Sequence, residues 1–289
     1  MAQITTAVLG CGVIGASWVT AFHAAGQAVR LWDPNVAAAH AVAARHGDGV
    51  TVLDSPEAAV DGAAFVQENG PEDLAVKRDL YRRMGSTLER QALVASSTST
   101  FQASQLQDGV EFADRLLVGH PFNPPHIVPL VEVVGGAVTA EWALEKAMSF
   151  YAALGKYPIR LRIERPGHLA NRLQAALWRE AIDAVASGQA SVADVDAAVT
   201  MALGPRWALT GPFATFALGG GKGGLAHFLE HLGAPFEALW DDAQRPQMTA
   251  SLKQKLVAEL DASSPRFDVE ERNRRLRQIL SIALQDEAR

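Results

Sequence analysis

The sequence predicts an α/β first half built on a mostly parallel sheet, followed by an all-α second half. Two observations carry this. Short aliphatic runs alternate with helix-like stretches as far as Ile163, the texture of parallel strands joined by crossover helices. At Arg165-Pro166-Gly167 the chain breaks, and alternating β-branched runs are absent beyond it. The boundary placed there gives a first domain of residues 1–165 and a second of residues 166–289.

Strands are expected at Ile4–Leu9, Ala28–Trp32, Val50–Leu53, Ala64–Gln67, Ala92–Ser96 and Leu116–Val118, then at Leu130–Val134 and Ile159–Ile163. Their brevity and aliphatic content suit burial on both faces. Ser55-Pro56-Glu57 puts a capping hydroxyl before a proline at the first helical position, and Thr139 is read as the start of the Ala-rich stretch that ends near Gly155. Past the boundary, Leu169, Leu173, Ala176, Leu177 and Ile182 recur near helical spacing, and Gly188 terminates that helix. Ser191-Val192-Ala193-Asp194 resembles a capping box with aspartate in place of glutamate, and further helices are expected over Leu225–His231, Met248–Leu260 and Val269–Leu284.

With 289 residues the chain is long enough for one large domain or two smaller ones. Its 32 acidic and 26 basic residues leave a net charge of −6, which gives no general attraction to nucleic acid or to anionic membranes. No apolar run reaches the roughly 20 residues of a transmembrane helix. The single cysteine, Cys11, has no internal bridging partner, so a reducing compartment is expected. The opening Met1-Ala2-Gln3-Ile4 lacks the marks of an export signal and reads as structure, and the expected location is the cytoplasm.

Gly10-Cys11-Gly12-Val13-Ile14-Gly15 directly follows the first strand and opens a helix, the context a dinucleotide fingerprint requires. Gly10 serves the tight turn, Gly12 the approach of a pyrophosphate, and Gly15 the close packing of a helix whose N-terminal amides favour phosphate; Val13 and Ile14 complete the turn. Cys11 is read as a small residue within it. The second strand ends at Asp33, eighteen residues past Gly15, where a carboxylate holds the adenosine ribose. Pro34-Asn35 follows rather than a basic residue, which points to NAD over NADP. Farther on, Gly119-His120-Pro121-Phe122-Asn123-Pro124-Pro125 is a chain reversal with Glu132 twelve residues after His120. A turn of that length can lay Glu132 beside His120, where a carboxylate fixes the imidazole tautomer and leaves the other nitrogen to exchange a proton.

Four pieces together resemble the 3-hydroxyacyl-CoA dehydrogenase family, and within it the members of gulonate 3-dehydrogenase (lambda-crystallin) and carnitine 3-dehydrogenase type. These are the glycine turn, Ser96-Ser97-Thr98-Ser99-Thr100, the His120 to Glu132 block, and Pro166-Gly167-His168-Leu169-Ala170-Asn171-Arg172-Leu173. The resemblance implies a Rossmann domain followed by a helical domain that makes a homodimer. By position it makes His120 the catalytic base, Glu132 its partner, and Ser99 and Asn171 polar contacts of the substrate oxygen. It puts Glu68 and Lys77 on the cofactor side.

Two departures bear on the substrate. Members acting on acyl-CoA carry a long helical hairpin after the second strand, whereas only Pro34 to Gly49 stands there in this chain. Arg206, in Gly204-Pro205-Arg206-Trp207, is read as a forked partner for a free carboxylate or, equally, as a surface or dimer-interface arginine. Trp178 and Trp207 match places in carnitine dehydrogenases where an indole face can hold a quaternary ammonium, although core packing is the plainer role for both. Gly211-Pro212, by contrast, looks like the gulonate type. The expectation is an NAD-dependent dehydrogenase that oxidises a small L-3-hydroxy carboxylic acid. A 3-hydroxyacyl-CoA dehydrogenase and a noncatalytic NAD-binding or structural protein are the alternatives. Gly219 to Gly224 lacks the order of a phosphate loop and is read as a turn. His227 and His231 stand one helical turn apart without an evident third ligand, so no metal is expected. The arginines of 272–277 are offset by Asp268, Glu270 and Glu271, as on a solvated or subunit-contacting helix face.

Overall fold

The computed structural model describes residues 4–263 and 268–284, so the first three residues, read above as part of the fold, lie outside the described residues. The chain divides into two compact units, residues 1–172 and 173–289.

The first unit is built on eight strands: β1 (Thr5–Leu9), β2 (Ala28–Trp32), β3 (Val50–Val52), β4 (Phe65–Glu68), β5 (Leu93–Ser96), β6 (Leu116–Pro121), β7 (Leu130–Gly135) and β8 (Tyr157–Leu161). Each falls within two residues of an aliphatic run in the sequence, except that β6 continues three residues farther, through His120. They form one sheet in the order β3-β2-β1-β4-β5-β6-β7-β8. All neighbouring pairs are parallel except β6 with β7. The order reverses between β1 and β4, the switch point at which an open α/β sheet binds its ligand, and the first six strands have the Rossmann arrangement.

Strand alternation sends Val8 to one face of the sheet and Ala7 and Leu9 to the other. On the first face the buried core includes Trp18, Val19 and Phe22 of α1 (Val13–Ala24), Ala39 and Val42 of α2 (Val36–Ala43), and residues of α6 (Glu141–Ala153). On the second it includes Ala59 and Val60 of α3 (Pro56–Val60), Leu80 and Tyr81 of α4 (Leu74–Met84), and Ala103 and Leu106 of α5 (Ala103–Gln107). Helix starts follow the capping residues. Ser55 Oγ accepts from the Ala58 amide with Pro56 at the first helical position, and Asp73 accepts from the amides of Ala75 and Val76. The expectation for Thr139 is corrected: Ala140 precedes α6, and the Thr139 hydroxyl instead donates to the Leu116 carbonyl and accepts from the Gly136 amide. Between β2 and β3 stand only α2 and the 3-10 turn Gly47–Gly49, so no long hairpin is inserted there.

The division between the units falls in the first turn of α7 (Ala170–Ser187). Within the second unit follow α8 (Val192–Ala198), a π-helical stretch Val199–Leu203, α9 (Gly204–Gly219), α10 (Gly224–Asp242), α11 (Ala250–Ser263) and α12 (Val269–Ala283). The Ser191–Asp194 capping box forms in both directions. Helix α9, to which the sequence reading assigns no element, breaks internally where Gly211 takes φ 66° ahead of Pro212. Helices α8 to α12 bury none of their residues, and Phe213 and Leu218 of α9 are more than 70% exposed, at 76% and 72%. Glu271 pairs with Arg274 and Arg275 on α12.

Candidate active site

Five strand ends supply the candidate site in the first unit. After β1, Gly10 turns at φ +90°, where a side chain would also press on the Asn69 carbonyl at 2.6 Å. A Cβ on Gly15 would collide with the Gly10 carbonyl, so turn and helix pack directly on one another. A Cβ on Gly12, by contrast, would meet nothing within 4 Å. Helix α1 has no side-chain cap and no acidic residue in its first turn, leaving its amides and dipole for an anion. This cradle fits a pyrophosphate. Val13 is exposed beside it, and Ile14 lines the adjoining cavity.

At the end of β2, Asp33 accepts from the amides of Cys11 and Asn35, both at 2.7 Å, which fixes the carboxylate over the glycine turn as a ribose partner requires. Burial, reinforced by Asp33, pushes the Cys11 thiol up to about 12.

After β4 the sequence expectation is refined. Glu68 and Lys77, read as cofactor-side residues, are both buried, with their charged atoms 2.8 Å apart. Glu68 Oε1 also accepts from the Gly70 amide, and Oε2 accepts from the hydroxyls of Tyr81 and Ser96. Burial, with Glu68 alongside, raises the Tyr81 phenol well above its ordinary range, so it remains a donor. Glu68 thus has donors on both oxygens beneath the site. Lys77 reaches a cavity of about 220 Å³ shared with Ile14, Asn69, Ser97 and Ser99.

The loop after β5 is held by Glu72, which the sequence reading missed. Its Oε1 accepts from the hydroxyls of Thr98 and Thr100 at 2.6 and 2.7 Å and from the amides of Ser99 and Thr100 at 3.1 and 2.9 Å. Burial raises the Glu72 carboxyl, but these bonds, with Lys77 nearby, outweigh it and hold the group below its usual range. Ser99 is exposed at the cavity wall. Ser97, also missed, accepts from Trp18 Nε1 and Gln67 Nε2 and donates to Asn69 Oδ1. Gln67 in turn accepts from the buried Tyr151 hydroxyl at 2.6 Å.

On β6 and β7, His120 and Glu132 are direct cross-strand partners. His120 Nδ1 lies 2.9 Å from Glu132 Oε2, and both residues are buried. Because a carboxylate only accepts, Nδ1 carries the proton, and Nε2 is the nitrogen left for chemistry. Glu132 Oε1 accepts from the amides of Leu169 and Ala170 at 3.0 and 2.8 Å. Burial raises the Glu132 carboxyl, yet the bonds from His120 and from these two amides hold it below its ordinary value. Asn171 follows directly, half-buried in the first turn of α7. His168 packs its ring 5.1 Å from that of His120. It stood in the quoted motif without a role; its place just past the Pro166-Gly167 break was the available signal.

The remaining residues belong to the second unit. Arg206 is exposed and donates through Nε to the Ala202 carbonyl of the preceding turn. Trp207 lines an apolar cavity of about 470 Å³ with Leu173, Gln174, Leu177 and Pro212. Core packing does not describe Trp178, which is 62% exposed. Glu230 brings a carboxylate oxygen to the exposed His227 and His231, all three donors within 4.8 Å of one another, a third group the sequence reading did not associate with that pair.

Comparison with known proteins places these features among relatives. The model of the 3-hydroxyacyl-CoA dehydrogenase NAD-binding domain matches residues 40–164, and that of the family's C-terminal domain matches residues 167–255. The glycine turn and Asp33 precede the first match and stand on their own geometry. The chain is 44% identical over 275 residues to an L-carnitine dehydrogenase of Streptomyces coelicolor, covering 89% of this chain and 86% of that one. It is 36% identical to an L-carnitine dehydrogenase of Pseudomonas putida, covering 88% and 84%. Among solved structures, a 5-formyl-3-hydroxy-2-methylpyridine 4-carboxylic acid 5-dehydrogenase shares the fold, with a TM-score of 0.82 at 24% identity over 99% of both chains.

Proposed function

The chain belongs to the 3-hydroxyacyl-CoA dehydrogenase family, and from that premise we propose that it oxidises the 3-hydroxyl of a small free L-3-hydroxy acid of the carnitine type to the 3-keto acid. It is an NAD-dependent oxidoreductase acting on a CH–OH group. One observation carries the catalytic reading: the buried His120–Glu132 pair at the C-terminal end of β6, the same sheet edge at which β1 presents the glycine turn.

In this reading His120 Nε2 removes the hydroxyl proton, and Glu132 holds the ring and balances the imidazolium that forms. Ser99 and Asn171 donate to the oxygen as negative charge develops on it. NAD, when bound, supplies the hydride acceptor. Gly10, Gly12, Val13, Ile14 and Gly15 bind its pyrophosphate and Asp33 its ribose, while Lys77, set by Glu68, serves the cofactor side of the cavity. Arg206 and Trp207 are assigned to the substrate, the guanidinium to its carboxylate and the indole to its remainder.

The short β2–β3 connection and the L-carnitine dehydrogenase relatives favour a free acid over a CoA thioester. Residues 166–289 are assigned to substrate binding and to a homodimer, whose second copy would cover the apolar side chains that α8 to α12 leave exposed. No helix among the described residues is long and apolar enough to cross a membrane, and a cytoplasmic location accords with the single thiol.

The test is NADH formation with L-carnitine, gulonate, 3-hydroxybutyrate and 3-hydroxybutyryl-CoA. Turnover of a free acid that falls about 10²- to 10⁴-fold in His120→Gln, with NAD affinity retained, is the expected result. Turnover of the thioester alone would replace the substrate class. NAD binding without turnover of any of them would leave a noncatalytic protein.

A further inference from the structure

We propose that His168 is a positioning residue for this reaction: from one left-handed backbone position it fixes the Ser99 loop relative to the His120–Glu132 pair. The proposal rests on the catalytic reading of His120 and Ser99 given above.

Among the described residues, His168 is the one non-glycine residue with positive φ, at 53°. That conformation is sterically costly for a side chain of this size and persists only where the surroundings impose it. Three contacts impose it. The His168 amide donates to the Arg165 carbonyl at 3.0 Å. On the side-chain side, Nε2 lies 3.0 Å from the carbonyl of Thr98, the residue before Ser99. On the backbone side, the next two amides, of Leu169 and Ala170, both donate to Glu132 Oε1. Three consecutive residues therefore bind the loop that carries Ser99 and the carboxylate that orients His120.

The same geometry decides the protonation of the ring. A carbonyl only accepts, so Nε2 holds the proton and Nδ1 is a bare acceptor. Nδ1 is buried and has no hydrogen-bond partner among the described residues. A second proton would create a buried N–H without an acceptor, beside the ring of His120. Burial and the neighbouring His120 press His168 toward the neutral form, while its bond to Thr98 and the carboxylates Glu132 and Glu72 act against them, and the neutral form prevails. Two imidazoles stand side by side, and only His120 has a carboxylate hydrogen-bonded to its ring. His168 can orient its neighbours without competing for the substrate proton.

Packing alone would be satisfied by an apolar ring, so the discriminating pair is His168→Phe, which keeps the bulk and removes the donor, and His168→Gln, which returns an N–H near the Nε2 position. The expected outcome is a loss of about 10- to 100-fold in kcat for His168→Phe with the KM for NAD within about twofold, and recovery of most of that loss in His168→Gln. Long-range ¹H–¹⁵N correlation of the histidine rings should show His168 of the wild-type protein neutral and protonated at Nε2. Full kcat in folded His168→Phe overturns the proposal and leaves the dehydrogenase reading intact. Equal loss in both variants, tracking their thermal midpoints, reduces His168 to a structural residue and overturns it too. A wild-type chain inactive on every hydroxy acid removes both readings.

Discussion

Replacing Glu132 with Gln tests the pair at the centre of the site. The carboxylate is fully buried, receives His120 Nδ1 on one oxygen and two backbone amides on the other, and among the described residues carries the only charge hydrogen-bonded to the imidazole. When His120 takes a proton, attraction between the two charges at about 4 Å and an effective dielectric near 20 is worth about 4 kcal/mol. Glutamine abolishes that attraction but retains a neutral hydrogen bond of about 1 kcal/mol, and partial relaxation brings the net loss to about 2–3 kcal/mol. At about 1.4 kcal/mol per decade this lowers kcat by about 30- to 150-fold. Glutamine also has one carbonyl oxygen where glutamate has two acceptors. Its NH₂ must therefore face either the His120 N–H or the two amides, and leaving those donors unpaired costs about 1–3 kcal/mol of stability. NADH formation at saturating substrate reads the first effect and urea unfolding the second. A folded Glu132→Gln protein with kcat within threefold of wild type would refute the argument, because no counter-charge would then be needed behind the imidazole.

Three further outcomes are expected. Asp33→Ala removes the shared acceptor of the Cys11 and Asn35 amides together with the proposed ribose contact, so NAD affinity measured by titration should fall about 10- to 100-fold; unchanged affinity would take Asp33 out of the site. Gly119→Ala places a methyl group where the Tyr151 hydroxyl sits and 3.1 Å from Ala95 Cβ, and should cost about 1–3 kcal/mol in urea unfolding and lower kcat through the adjacent His120. The folded carboxyls of Glu132 and Glu72 lie below their ordinary value of 4.5, so their contribution is complete above that value and is lost as the pH falls through the depressed folded values. Denaturation midpoints should be flat from neutrality to about pH 5 and then decline, with a smaller decline in Glu132→Gln. A midpoint that rises on acidification would contradict the sign.

The first unit was legible because its central strands are buried on both faces, so that runs such as Leu93–Ser96 announce themselves without alternation. The His120–Glu132 pairing was legible for a local reason: a turn of that length returns the next strand in register. Glu72 was hidden because it meets Thr98, Ser99 and Thr100 across 26 to 28 residues of sequence, a tertiary contact with no periodic trace. The strain at His168 was hidden as well, since the sign of φ at a histidine cannot be read from composition. Helix α9 escaped because Gly204-Pro205 and Gly211-Pro212 look like loop signals. Proline is at home in the first turn of a helix, and the two pairs instead open the two halves of a kinked one.

The placement of Cys11 has a chemical consequence. The sulfur lies inside the glycine turn, where an alkylating reagent or peroxide would be expected to disable nucleotide binding. Burial and Asp33 weaken its acidity, so at neutral pH the group stays a thiol, whereas the thiolate is the form that reacts. Burial, with Asp33 in support, thereby shields the turn from electrophiles, and iodoacetamide should label the native chain far more slowly than the urea-unfolded one.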